Sequence, residues 1–357
     1  MNKILIAMSG GVDSAVAAWV LKEKGYDCVG AMMKLFESSE FESGCCSLAD
    51  AQDARAVANR LGIPFYVFNF TSTFGEQVID RFVRAYQNGH TPNPCIDCNR
   101  FLKFERFLAR AREIDCEFIA TGHYARIEKS GERYLLKKGA DDPKDQSYVL
   151  YAMTQEQLSR TQFPLGDMSK PEVREIALAQ GFVNAKKRDS QDICFAPDGD
   201  YAGFIERHTG GAFGKGRFID PDGNDIGEHK GIIHYTIGQR RGLGISAPQP
   251  LFVCEVRPDS NTVVVGAQEM LFSKTLIARD INLIPVEKLD APLRVKAKIR
   301  YRHQEQPATV WQLGPDTLRV EFAEPQRAIT KGQAVVLYDR DIVVGGGTIA
   351  QTGESED

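Results

Sequence analysis

The sequence predicts an α/β protein: a parallel-sheet domain over residues 1–200, a small central domain over 201–273 and a C-terminal β-barrel over 274–357. Three features predict it. Through the first half, short apolar runs alternate with amphipathic helical patterns, the signature of βαβ units. After about Ala196, Gly and Pro become frequent and helical periodicity fades. From about Ser273, only strand patterns bounded by turn residues remain.

Composition sets the bounds. A chain of 357 residues holds about two or three domains with ample core in each. Its apolar and charged fractions are those of a globular protein. No run approaches the ~18 consecutive apolar residues of a membrane-spanning helix, and the N-terminal apolar run is too short for a signal peptide. A cytoplasmic location with no membrane partner is expected. Eight cysteines, unevenly spaced, argue for a reducing compartment and for functional or buried thiols. A net charge of −4 gives no global attraction to nucleic acid, so any RNA must meet a local basic face.

Lys3-Ile4-Leu5-Ile6-Ala7-Met8 reads as a buried strand. Ser9-Gly10-Gly11-Val12-Asp13-Ser14 follows. Then Ala15, Val16, Ala18, Trp19, Val20 and Leu21 mark a helix that stops at Gly25. The stretch from Ala7 to Ser14 is therefore a strand-to-helix turn. Its adjacent glycines let the backbone approach a ligand, and N–H groups at the helix start point at it. Ser9 and Ser14 add hydroxyls, making an anion cradle suited to a phosphate chain. The Gly-Lys-Ser/Thr of a Walker A loop is missing, as is the third glycine of the dinucleotide fingerprint. Asp13 beside phosphates is repulsive unless a cation bridges them, which implies Mg²⁺. The plainer role for Asp13 or Ser14 is a helix cap. The string resembles the pyrophosphatase loop of the N-type ATP pyrophosphatases, which cleave ATP between the α and β phosphates and adenylate a substrate.

Residues 29–35 read as the second strand. Met33 near its end is a candidate neighbour of the nucleotide base, or an ordinary core methionine. Cys45-Cys46 lies in a loop. A helix over 47–61, a strand over 63–70 and a helix over 74–86 follow. Residues 89–99 read as a loop from their prolines and asparagines, with Cys95-x-x-Cys98 opening the next helix. A thiol at a helix N-terminus has a stabilised thiolate, so Cys98 is a candidate nucleophile or ligand. Structural zinc would need four ligands, and no second Cys-x-x-Cys supplies them. The surroundings do not fit a thioredoxin-type pair. Catalytic or cluster-binding thiols are favoured.

Residues 117–121 form a further strand ending at the corner Gly122-His123-Tyr124, where His123 faces ligand or merely solvent. Residues 134–138 read as a strand. Ser169-Lys170-Pro171-Glu172 is a capping box opening a helix that Gly181 closes, a structural signal. Lys186-Lys187-Arg188 precedes Cys194, which is either a partly buried thiol or one whose pKa the cations depress. The basic, glycine-rich stretch from His234 to Gly244 suits a phosphate backbone. Residues 293–302 alternate apolar and basic. In a strand, Arg294, Lys296, Lys298, Arg300 and Arg302 would share one face about 7 Å apart, which suits a polyanion. Residues 309–313, 318–322, 334–338 and 342–344 supply strands for a small barrel. The acidic tail 351–357 reads as disordered.

Six strings occur in one order across most of the chain: Ser9-Gly10-Gly11-Val12-Asp13-Ser14; Thr91-Pro92-Asn93-Pro94-Cys95 with Cys98-Asn99; Ala120-Thr121-Gly122-His123-Tyr124; Lys144-Asp145-Gln146-Ser147; Ser190-Gln191-Asp192-Ile193-Cys194-Phe195; and Thr236-Ile237-Gly238-Gln239-Arg240. Together they resemble the bacterial tRNA-specific 2-thiouridylases. The resemblance implies a nucleotide-binding domain like the adenine nucleotide alpha hydrolases and a tRNA-binding barrel. It implies an enzyme that uses ATP and Mg²⁺ to make 2-thiouridine at the wobble position of tRNAs with Lys, Glu and Gln type anticodons. A persulfide donor protein would relay the sulfur.

ATP is implied at Ala7, Met8, Ser9, Gly10, Gly11, Val12, Asp13 and Ser14, with Met33 and Gly122 about the base and ribose. The uridine C2 oxygen would be adenylated. Cys194 would carry the persulfide and Cys98 would act as nucleophile, leaving a Cys98–Cys194 disulfide. Implied RNA contacts are Asn93, Pro94, Cys95, His123, Lys144, Asp145, Gln146, Arg300, Tyr301 and Gln333. The target base would have to leave its stack. Many members have Asp where this chain has Cys95. That substitution opens an alternative route to the same product, through a [4Fe–4S] cluster held by Cys95, Cys98 and Cys194. Another adenylating ligase with the same loop would need neither the cysteines nor the basic β-domain. A non-catalytic RNA-binding protein would not need the loop.

Overall fold

The computed structural model describes residues 2–36, 48–187 and 193–353. The chain divides into two compact units. One gathers Met1–Val78, Pro94–Gly199 and Asp341–Val343; the other gathers Ile79–Asn93, Asp200–Arg340 and Val344–Asp357.

The first unit is built on an all-parallel sheet of β1 (Lys3–Ala7), β2 (Asp27–Lys34), β3 (Phe65–Asn69), β4 (Phe118–Ala120) and, after a hairpin described below, β7 (Thr161–Gln162), in the order β3-β2-β1-β4-β7. Ile4, Leu5 and Ile6 are fully buried. A strand covered on both faces cannot alternate, which is why β1 reads as an unbroken apolar run. α1 (Val12–Glu23) lays Ala15, Val16, Ala17 and Ala18 on the core, and α2 (Leu48–Leu61) adds Ala54, Val57 and Ala58. From β1 the chain runs outward through β2 to β3, then returns to β4 on the other side of β1. The carboxyl ends of β1 and β4 therefore flank the topological switch point, where open α/β sheets bind ligands.

Two expectations change here. Residues 94–99 are helical, not loop: Pro94–Asp97 is a helix continued by wide turns over Cys98–Arg106 and by Phe107–Glu113. Pro94 fits this start because a first-turn residue needs no N–H. Cys98 then sits one turn inside, beyond the first turn where the helix dipole acts strongly on a thiolate. The second change concerns a hairpin, β5 (Ala125–Ser130) and β6 (Arg133–Lys138), where only β6 was expected. Arg126 and Lys137 of this hairpin hold Asp341 at 3.1 and 3.2 Å.

In the second unit the helix Tyr201–Thr209 lies where helical periodicity had faded. It is short, capped by Asp200 accepting from the Gly203 N–H at 3.0 Å, and stopped by left-handed Gly210. A four-stranded sheet follows, with strands β8 (Gly216–Ile219), β9 (Asp225–His229), β10 (Phe252–Arg257) and β11 (Thr262–Gly266) in the order β10-β11-β8-β9. Six more strands then close a barrel: β12 (Phe272–Leu283), β13 (Leu293–Lys298), β14 (Gln306–Gly314), β15 (Thr317–Arg327), β16 (Ala334–Asp339) and β17 (Ile342–Thr352). Their order is β12-β15-β14-β13-β16-β17, with β17 pairing back onto β12. Val295, Ala297, Val310, Val320 and Leu337 fill the barrel.

The basic run shortens. β13 ends at Lys298, and 299–302 bends away, so Arg294, Lys296 and Lys298 share the strand face while Arg300 and Arg302 do not. Gln351 and Thr352, expected in the tail, pair with Ile277 and Leu276. Residues 354–357 lie outside the described residues.

Candidate active site at the phosphate loop

β1 delivers the loop to the switch point. The Met8 N–H donates to the Ala31 carbonyl at 2.8 Å, and the turn begins beyond it. Gly10 has φ +77°, and a Cβ there would stand 2.4 Å from the Asp50 carbonyl oxygen, so only glycine fits. Ser14 Oγ accepts from the Ser9 N–H at 3.2 Å and donates to the Gly11 carbonyl at 3.0 Å, bracing the loop across its mouth. From behind, Asn184 Nδ2 donates to the carbonyls of Gly10 and Gly11 at 3.0 and 3.1 Å. A planar trans peptide whose C=O is held one way points the following N–H the other way. Gly11 opens α1 with extended backbone and no side-chain cap. Neither Asp13 nor Ser14 therefore caps α1 in the plain helical sense, and Ser14 Oγ is turned into the loop instead.

Asp13 is held on both carboxylate oxygens. Lys170 Nζ meets its two oxygens at 2.7 and 2.8 Å, and the Tyr124 hydroxyl donates to Oδ1 at 2.8 Å. A Cβ on Gly122 would lie 2.8 Å from the Asp13 carbonyl carbon and 2.9 Å from the Ser14 nitrogen, so the loop after β4 runs against the start of α1. Met33 is next to last in β2. The residues from Ala7 to Ser14, Met33 and Gly122 thus gather at one edge of the sheet.

The thiols belong to the same unit. Cys95 is exposed, and Cys98 and Cys194 are half-buried. Phe195, beside Cys194, packs edge-on against Phe74 at 6.1 Å, and the helical turn Thr71–Phe74 packs on the helix that carries Cys98. Asn99 fixes that helix by donating to the Val149 carbonyl at 3.0 Å. One lysine of the basic triplet is engaged with α2. Lys187 is committed to Asp50 and Asp53 at 2.6 and 2.7 Å. Burial lowers its pKa, but these two carboxylates outweigh that and raise it. Cys45, Cys46 and residues 188–192 lie outside the described residues. Among the described residues no three His, Cys, Asp or Glu side chains form a group able to hold a metal ion.

Residues 2–198 match the model of the tRNA methyl transferase HUP domain, 202–267 that family's PRC-barrel domain, and 273–349 the aminomethyltransferase beta-barrel domain. A tRNA-specific 2-thiouridylase of Clostridioides difficile (strain 630) is 54% identical over 356 residues, covering 98% of this chain and 99% of the relative. The chain belongs to the tRNA-specific 2-thiouridylase family. A 2-thiouridylase of Lachnoclostridium phytofermentans is 51% identical over 355 residues, again covering 98% and 99%. The six strings therefore pointed to the right family of tRNA sulfurtransferases, and the three-part fold they implied is the one found.

Within this thiouridylase the other candidates fall into two groups. His123, Lys144, Asp145 and Gln146 lie in the first unit with Pro94 and Cys95; Asn93, Arg300, Tyr301 and Gln333 lie in the second. His123 is buried between Phe104 and Phe163, with Nδ1 2.6 Å from Thr121 Oγ1. Burial, aided by Lys103, drives its pKa well below 6.5 and keeps it neutral. Asp145 accepts from the N–H groups of Gly139 and Ser147, and Gln146 Oε1 accepts from the Tyr124 N–H at 3.0 Å. These two side chains shape the corner that holds Tyr124 on Asp13. Gln333 Nε2 donates to the Thr91 carbonyl at 2.7 Å, and Lys298 Nζ stands 6.0 Å from the Tyr301 ring. Sequence reading missed Lys170, Asn184 and Tyr124. The available signal was Lys170, a cation in the first turn of a helix, where the dipole opposes it.

Proposed function

We propose that this enzyme 2-thiolates the wobble uridine (position 34) of tRNAs with Lys, Glu and Gln type anticodons. ATP is the cofactor that the family and the loop support, and Mg²⁺ accompanies it. The uridine C2 oxygen attacks the α-phosphate and pyrophosphate leaves, which turns a poor leaving group into AMP. The terminal sulfur of a Cys194 persulfide, supplied by a relay protein, then attacks C2 and AMP departs. The Cys98 thiolate attacks Cys194 Sγ, so the sulfur leaves with the base as a thiocarbonyl and a Cys98–Cys194 disulfide remains. In this reading residues 1–200 catalyse, 201–273 form the central domain and 274–357 bind tRNA in the cytoplasm.

The observation that carries this reading is the sharing of one compact unit by an uncapped phosphate loop and both thiol-bearing segments. Mass spectrometry of tRNA incubated with ATP and a persulfide donor, in the absence of free sulfide, is the test. Cys98→Ser, Cys194→Ser and Asp13→Asn should each abolish 2-thiouridine; thiolation surviving Cys194→Ser overturns the relay. Iron and sulfide assays after anaerobic reconstitution separate the routes. Full activity without iron supports the relay, and iron-dependent activity replaces it with the cluster at Cys95, Cys98 and Cys194.

A further inference from the structure

The loop reading leaves one group unexplained. Lys170 is 7% exposed, and an ammonium is costly to desolvate. It also occupies the first turn of the helix Lys170–Ala179, the positive end. Its partner is an odd choice too, because Asp13 lies in the first turn of α1, inside a cradle built for anions. The ammonium spans both Asp13 oxygens, with Tyr124 as a third donor. The pair is asymmetric in exposure: the Lys170 side chain is 9% exposed and the Asp13 side chain 32%. The cation is buried behind the carboxylate, and the carboxylate is the part that opens to solvent. The helix start itself is already satisfied, since the Lys170 N–H donates to Asp141 Oδ2 at 2.8 Å, so the side-chain ammonium on Asp13 is the positive group that a phosphate chain arriving there would draw on.

We infer that Lys170 is a positioning residue for the nucleotide: it neutralises Asp13 while the loop is empty and turns to the phosphates when they arrive, leaving the carboxylate for the accompanying divalent cation. The inference rests on the loop binding ATP. It explains how one aspartate is tolerated in an anion cradle before the metal–nucleotide complex is present, and why the helix start carries lysine.

Calorimetric titration of the full chain, without tRNA, tests it. The probes are a non-hydrolysable ATP analogue and AMP, each with magnesium and with EDTA. Lys170→Met should weaken the analogue about tenfold or more, the worth of a charge-assisted hydrogen bond, and leave AMP unchanged. Lys170→Arg should restore most of the loss. Asp13→Asn should bind the analogue more tightly than wild type in EDTA, because it frees the ammonium and removes a repelling charge. Should Lys170→Met fail to fold around an unpaired carboxylate, Asp13→Asn with Lys170→Met removes both charges; it should bind the analogue as weakly as the magnitude above predicts. Wild-type affinity in Lys170→Met overturns the inference, as does equal loss of analogue and AMP, or a double variant that binds like Asp13→Asn. Wild-type protein that binds neither probe would instead remove the nucleotide reading itself.

Discussion

At the scale of single residues, two glycines with similar φ separate strain from fit. Gly10 and Gly25 sit at φ +77° and +81°. A Cβ at Gly10 meets the Asp50 backbone at 2.4 Å, whereas one at Gly25 meets nothing within 4 Å. Gly25→Ala should therefore cost only the left-handed strain, about 1 kcal/mol, and keep nucleotide binding. Gly10→Ala must also displace the loop or α2, so it should cost several-fold more in urea denaturation and lose ATP affinity. The thiols offer a second contrast. Cys28 is buried, and burial together with Asp27 pushes its pKa up to about 11. Cys95 is exposed. Because the thiolate is the reacting species, iodoacetamide at pH 8 should label Cys95 readily and leave Cys28 unmodified until the protein unfolds, as read by peptide mass spectrometry.

At the scale of elements, the capping boxes test how far a helix start serves the site. Ser169 and Thr154 each cap a helix with a reciprocal box, closed by Glu172 and Gln157. Replacing either by Ala should cost about 1 kcal/mol. Only Ser169→Ala loosens the turn that carries Lys170, so only it should also weaken ATP binding. Ser169-x-x-Glu172 was plain in the sequence because capping is local chemistry. So were β1, α1 and the barrel strands, whose apolar periods match their burial. What stayed hidden depended on distant partners. Nothing local joins Lys170 to Asp13 or Asn184 to Gly10, each more than 150 positions apart. The basic alternation of 293–302 fits a strand throughout, yet pairing stops at Lys298, because where a strand ends is set by its neighbours. The helix Tyr201–Thr209 is too short for a clear period and rests on its Asp200 cap and Gly210 stop.

At the scale of the whole molecule, each unit encloses a histidine that must stay neutral. In the first, His123 packs between two phenylalanines beside Thr121. In the second, His229 is 1% exposed; its Nδ1 accepts from the Gly231 N–H and its Nε2–H donates to the Asn261 carbonyl, both at 3.1 Å. A second ring proton would face the Gly231 N–H. Burial lowers both pKa values below 6.5, with Lys103 adding to the effect at His123; at His229 the Asn261 carbonyl partly opposes it. Below pH 6.5 the unfolded chain therefore binds protons that the folded chain refuses, so stability is full above that pH and declines as pH falls. One proton bounds each ring's slope at about 1.4 kcal/mol per pH unit, and His123, whose pKa falls well below 6.5, should come nearer that bound than His229. Asp220, Asp225 and Glu228, held low by Asn224, Arg217 and Lys215 respectively, lose their contributions only at lower pH, below the ordinary carboxylate values, so the two windows separate. Urea midpoints from pH 8 to 5 check this. His123→Gln and His229→Gln should each remove about one ring's share of the slope, and an unchanged slope in both would mean that these rings take up protons without unfolding.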